Sequence, residues 1–255
     1  MRRFTRWLPL LLLLSGLVGC MHFSENPPPG PWHTAYQPIN DPESDAFILQ
    51  TLELASTEYG SPIVPVKKIL LRRSKKTAEA KCYRIAENFS LTECVDASNG
   101  LFVIYLAVDP EHKDYFPLLA HECAHLLNPY IFDWYMEGFA TLFSEHACAK
   151  TGRKWSNWAH RFAKSRRKPY ALSYRMMREL QHEFPSEFPS IIHFTAPSCH
   201  NNTEHLYIDI NAWLKTLSPT HRTTALAIIA PYTKVLLRES STQYHFTIPK
   251  EEPLQ

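Results

Sequence analysis

The stretch "GLFVIYLAVDP", residues 100 to 110, sets the first constraint on the fold: a near-continuous β-branched and aromatic run from Leu101 to Val108, stopped by Asp109-Pro110. That composition predicts a strand. Two earlier stretches also look extended: "IVPVKKILLRR", apolar around Ile63 to Leu71, and "KCYRIAENF", which alternates weakly. A small sheet is therefore expected before residue 110. From Tyr115 onward the pattern turns helical. "DYFPLLAHECAHLLNP" carries Leu118, Leu119, Ala120, Ala124, Leu126 and Leu127 around its polar residues and ends at Asn128-Pro129. "WYMEGFATLFSEHACAKTG" follows, with Gly152 just past its end. Another helix is expected to start near Pro42 and to end at Gly60 and Pro62, and further helices near 155–167, 171–183, 204–217 and 221–239, the last with Pro231 as a source of a kink. No internal repeat is present. The order predicts an α+β chain: a small N-terminal sheet packed on the helix around His121, then a mainly helical C-terminal half.

The chain has 255 residues, suited to one domain of moderate size with an appendage. A formal net charge of +2 is too balanced to point to nucleic acid as a partner. With 20 prolines and only 7 glycines, segments should stop abruptly, and no Gly-rich phosphate loop is visible. The one basic stretch with interleaved aromatics, "RKWSNWAHRFAKSRRKPY", reads first as a solvated amphipathic helix. Docking on anionic lipid head groups is a further use that stays open for it.

The first twenty residues differ in kind. Arg2, Arg3 and Arg6 precede "LPLLLLLSGLVG" and then Cys20, a basic start and short apolar core that match an export signal. The run is shorter than the ~20 residues that span a bilayer. "LVGC" resembles the lipobox of bacterial lipoproteins, which implies cleavage before Cys20 and lipid on that cysteine, and the Met21 that follows points to the outer membrane. The expected layout is a signal peptide over 1–19, a Pro-rich tether over 20–40, a domain over 41–245 and a tail over 246–255. Export allows disulfides. Cys82 and Cys94 are the easiest pair, and buried unpaired thiols are the equal alternative.

"LLAHECAHLL" puts His121 and His125 four residues apart, with Glu122 directly after the first. On a helix, positions four apart share a face, so both imidazoles can address one ion. Neutral imidazole is a good zinc ligand. Glu122 is turned by roughly 100° from His121, a direction that can reach a water on a metal without binding the metal itself. With thirteen histidines and eighteen glutamates, chance alone yields H-E-x-x-H in roughly one chain in twenty of this length. The setting sharpens it: three polar residues in an otherwise apolar helix need partners, and a metal supplies them.

H-E-x-x-H followed by E-G-x-A in "WYMEGFAT" resembles the gluzincin metallopeptidases over roughly residues 100–150. The resemblance implies zinc held by His121, His125 and Glu137, Glu122 as general base, and a tyrosine or histidine from the C-terminal region at the oxyanion. Tyr207 is the first candidate for that donor and His205 the second. Gly138 and Ala140 are small enough to let two helices close around the ion. The interval from His125 to Glu137 is shorter than in the thermolysin-like and aminopeptidase branches. If it is too tight, Asp133 becomes the third ligand. A distance of roughly 4 Å or less from the Glu137 carboxylate to the imidazoles would allow a shared ion. His193 and His200 read as surface or capping residues, and Cys123 as packing. The expected function is zinc-dependent hydrolysis of peptides or proteins by a lipid-anchored enzyme of the bacterial cell envelope. The alternative is a non-catalytic envelope lipoprotein serving binding or assembly.

Overall fold

The computed structural model describes residues 35–75, 90–164, 168–197, 205–239 and 248–249. The export signal, Cys20, most of the tether, the extended stretch 81–89, Cys82, Cys199, His200 and most of the tail fall outside these residues. No helix among the described residues is long and apolar enough to cross a membrane.

Four strands form the main sheet: β1 (Tyr36–Pro38), β2 (Lys68–Ser74), β3 (Leu91–Asp96) and β4 (Leu101–Leu106). Their order is β1-β2-β4-β3, with β2 parallel to β4 and the outer strands antiparallel. The β4 run is apolar throughout because both of its faces are covered. Phe102, Ile104 and Leu106 join Ile69 and Leu71 in the main core, while Val103 and Tyr105 join Leu70 and Tyr36 on the other face. Gly100 closes the β3–β4 turn at φ +60, where a Cβ would lie 2.1 Å from the Pro65 carbonyl oxygen. That glycine carbonyl accepts from the Lys67 and Lys68 N–H groups and so sets the start of β2.

Two sequence expectations shift here. β2 begins at Lys68, not Ile63, since Pro65 has no N–H to give to a ladder. The folded body also starts earlier than residue 41. Tyr36 is 0% exposed and packs edge-on against Tyr105 at 4.8 Å, so residues 35–38 belong to the sheet rather than to a tether.

The helices follow as α1 (Pro42–Tyr59), α2 (Tyr115–His125), α3 (Trp134–Lys150), α4 (Trp158–Arg161), α5 (Lys168–Glu183), α6 (Ile210–Thr216) and α7 (Pro219–Glu239). Asp41 caps α1 by accepting from Glu43 N and Ser44 N. The helix expected over 155–167 shrinks to α4 and a 3-10 turn, Phe162–Lys164, preceded by Asn157 in the left-handed region at φ 48. Instead of one helix over 204–217, Leu206–Ile208 form strand β6, paired with β5 (Thr195–Pro197), and α6 starts after the cap Asp209. α7 runs continuously through Pro231. Cys94, Cys123 and Cys148 are free thiols, and the expected Cys82–Cys94 bridge involves a residue outside the described ones. The architecture is α+β, a small N-terminal sheet ahead of a mostly helical C-terminal half.

Candidate metal centre

α2 lies against the core face of the sheet, with His125 as its last residue and His121 one turn earlier. Leu126 and Leu127 tighten the end through N–H bonds to Cys123 O and Ala124 O, and Asn128-Pro129 cannot continue the helix. The chain then reverses into α3. Asp133 caps α3: Oδ1 accepts from Met136 N at 2.7 Å and Oδ2 from Ile208 N at 2.5 Å. Burial pushes the Asp133 carboxyl up to about 7, against the pull of these N–H donors. Its oxygens are thus committed to backbone, and the short interval needs no substitute ligand. Glu137, in the first turn of α3, reaches the histidines.

His121 Nε2 lies 3.3 Å from His125 Nε2 and 3.3 Å from Glu137 Oε2. All three ligand atoms fall within 4.8 Å of one another, a grouping that could hold a metal ion. Two ligand atoms each about 2.0–2.1 Å from a tetrahedral zinc sit roughly 3.3 Å apart, so two edges of the cluster already have the length such an ion requires. His121 is 4% exposed, Glu122 2% and Glu137 8%. A buried imidazole and a half-buried one beside a buried carboxylate are costly without a shared charge partner.

Neighbouring side chains fix the ring states. Thr141 Oγ1 donates to Glu137 O at 2.7 Å, so its oxygen is left to accept from His121 Nδ1, 3.3 Å away. This favours the proton on Nδ1 and would leave the Nε2 lone pair for a metal ion. Burial pulls the His121 pKa down, but the Glu137 contact pushes it up and prevails. Burial lowers His125 to about 4, so its ring is neutral at neutral pH. Trp158, on α4, packs edge-on against His121 with ring centroids 5.4 Å apart.

Glu122 points off the ligand face. Thr92 Oγ1, on β3, lies 2.8 Å from Glu122 O and 3.0 Å from Glu122 Oε2, which ties the carboxylate to the sheet. Burial raises its pKa to about 7, partly countered by His121. The same burial drives the Cys123 thiol well up, an inert packing group as expected.

Tyr207 stands on β6 opposite Ala196, not on a helix. Its neighbour Ile208 makes the bond to Asp133, so this strand is fastened to the start of α3. His205 lies over the Phe132 ring at 4.6 Å. His193 is exposed and sits beside Gly60. The small residue Gly138 does allow a close approach, but to α5 rather than to the histidine helix: a Cβ there would lie 2.4 Å from Ser173 O. In the basic stretch, Trp158 is buried while Arg153 caps the Phe116 ring at 3.9 Å and pairs with Glu43 at 2.5 Å. Sequence reasoning missed Thr92, Thr141 and Trp158. Of these, Thr141 carried a signal, since it lies one turn beyond Glu137 on the same helix. Compared with known proteins, the chain matches no family model, no curated sequence and no solved structure.

Proposed function

We propose that this protein is a zinc-dependent hydrolase of peptide bonds, held at a bacterial envelope membrane by lipid on Cys20, with Glu122 activating the attacking water. The observation that carries this reading is the convergence of His121, His125 and Glu137 from two helices, with the Glu122 carboxylate buried next to them. Two imidazoles and one carboxylate are a donor set suited to catalytic zinc, which keeps a further position open. Zinc held there supplies Lewis-acid polarisation of a carbonyl and lowers the pKa of a water.

The protein's own groups do the rest. Glu122, raised to about 7 by burial, is matched to proton transfer near neutral pH. The Thr92 hydroxyl holds one carboxylate oxygen at 3.0 Å, fixing the direction from which a proton is taken and later returned to a leaving amine. Tyr207, on the strand fastened to the start of α3, is the proposed donor to the developing oxyanion. Support for an extended peptide as substrate comes from β3. It pairs with β4 on one side, and among the described residues no strand covers its other side. A peptide adding to that edge would run past Thr92 and hence past Glu122.

The test is metal analysis of the purified protein, followed by cleavage of a peptide library with and without zinc. Glu122→Gln should keep its zinc and lose at least ~100-fold in turnover, whereas His121→Ala should lose both. Unchanged cleavage by Glu122→Gln refutes the role of the base. Absence of any divalent ion together with absence of turnover favours the binding lipoprotein.

A further inference from the structure

Among the described residues, three buried side-chain groups in one short stretch have no hydrogen-bond partner: Trp155 Nε1, Ser156 Oγ and Trp158 Nε1. Buried polar groups are nearly always paired, so each exception needs a cause. Trp158 is the deepest of the three at 4% exposed. Its ring is enclosed by His121, Phe162 and Tyr170, with centroids at 5.4, 5.5 and 6.2 Å. Asn157, immediately before it, adopts φ 48, the left-handed region that asparagine enters more readily than other non-glycine residues. A plain phenylalanine would fill such an apolar seat. An indole brings in addition an N–H that no acceptor among the described residues meets, and its ring touches the histidine whose Nε2 faces Glu137.

We infer that the indole N–H of Trp158 is a hydrogen-bond donor to the oxygen of a ligand bound at the His121–His125–Glu137 centre, such as a peptide carbonyl or a hydroxamate. This deepens the hydrolase reading and rests on it. The donor is matched to the chemistry of that site: an N–H without an acceptor favours an oxygen that carries developing negative charge, and such a bond is worth more in a water-poor setting than at the surface. The indole is donor only, so it cannot compete for the metal. Its cost in the free protein falls away when ligand arrives, which places the gain in binding rather than in folding.

The experiment uses the full chain in detergent, loaded with zinc, and acetohydroxamate as the probe. Trp158 is replaced by benzothienylalanine, which keeps the shape of the ring and puts sulfur where the N–H was. Calorimetry should show hydroxamate binding weakened about 10-fold, the worth of one hydrogen bond. Zinc affinity should stay unchanged and the melting temperature should not fall, because the fold loses no bond. Trp158→Phe, which keeps an aromatic ring without the N–H, should show the same loss of hydroxamate affinity. Equal hydroxamate affinity with and without the N–H overturns the inference. So does failure of the zinc-loaded wild type to bind hydroxamate, or a drop in melting temperature or zinc affinity in the benzothienylalanine protein, which would mark the N–H as structural. If the wild type takes up no zinc, the hydrolase reading itself has failed, and that outcome is separate from a zinc-loaded protein indifferent to position 158.

Discussion

Gly138→Ala tests whether the packing between α3 and α5 sets the position of Glu137. A Cβ at this position would lie 2.4 Å from Ser173 O, 2.6 Å from Ser173 C and 2.9 Å from Met177 Cγ. An unstrained carbon contact lies at about 3.5 Å, so the two helices must part by about 1 Å. The obstacle is backbone, which no rotamer change can relieve, so the cost belongs near the upper end of overpacking, ~3 kcal/mol. Alanine returns about 1 kcal/mol through its better helix propensity. The net loss is then about 2 kcal/mol, or roughly 5 °C in melting temperature for a chain of this size. Because Glu137 is the adjacent residue and its carboxylate sits 3.3 Å from His121, a shift of this size should also weaken zinc about 10-fold. Thermal unfolding and competition against a chelating dye measure the two effects. Gly152→Ala is the control: its φ of +70 penalises alanine by ~1 kcal/mol, but nothing lies within 4 Å of a Cβ there. It should lower the melting temperature and leave zinc affinity alone. If Gly138→Ala melts like the wild type and binds zinc equally well, the α3–α5 seam does not position the ligand and the reasoning fails.

Thr141→Val removes the acceptor opposite His121 Nδ1 and should cost 10- to 100-fold in zinc affinity by dye competition, with Thr141→Ser restoring most of it. Asp133→Asn keeps one acceptor for two backbone donors, Met136 N and Ile208 N, and should destabilise by about 1–2 kcal/mol in a denaturant titration. In the metal-free protein, Glu122 and Asp133 are raised to about 7, and His121 is raised as well. Each of them binds more protons folded than unfolded, so each loses stability as pH rises towards its folded pKa. His125, lowered to about 4, works the other way between 4 and its ordinary value. Three groups oppose one, so the apo melting temperature should fall from pH 5 to pH 8. The zinc-loaded protein should show the opposite slope, because zinc requires deprotonated ligands; an apo curve that rises with pH contradicts the assignment.

The fold class was legible because β4 is apolar on both faces and α2 follows it at once. Boundaries were less so, and each miss has a local physical cause. Pro65 delays β2, and Asn157 turns the chain before α4 can lengthen. Tyr36, alone among prolines, gave no periodic signal, yet it enters the sheet through Tyr105, which is distant in sequence. At the site, the spacing of His121 and His125 is a helix property and could be read directly. Glu137 could be reached only by resemblance, since nothing in the local pattern says where the chain turns between the two helices. Thr92 and Trp158 arrive from β3 and α4, and only tertiary contact brings them to Glu122 and His121.

That turn is where the C-terminal half meets the His121–His125–Glu137 centre. Residues 130–133 are gripped by β6: Phe132 N donates to Leu206 O, Leu206 N donates to Tyr130 O, and Ile208 N donates to Asp133. The loop that sets the distance between the histidine helix and Glu137 is therefore held by a strand more than seventy residues away in sequence. It follows that the motif region alone does not define the centre. The twelve-residue interval from His125 to Glu137 closes because β6 pins it, and the strand that pins it also carries Tyr207. A change on β6 that loosens Ile208 should be felt as weaker metal affinity even though no ligand has been touched.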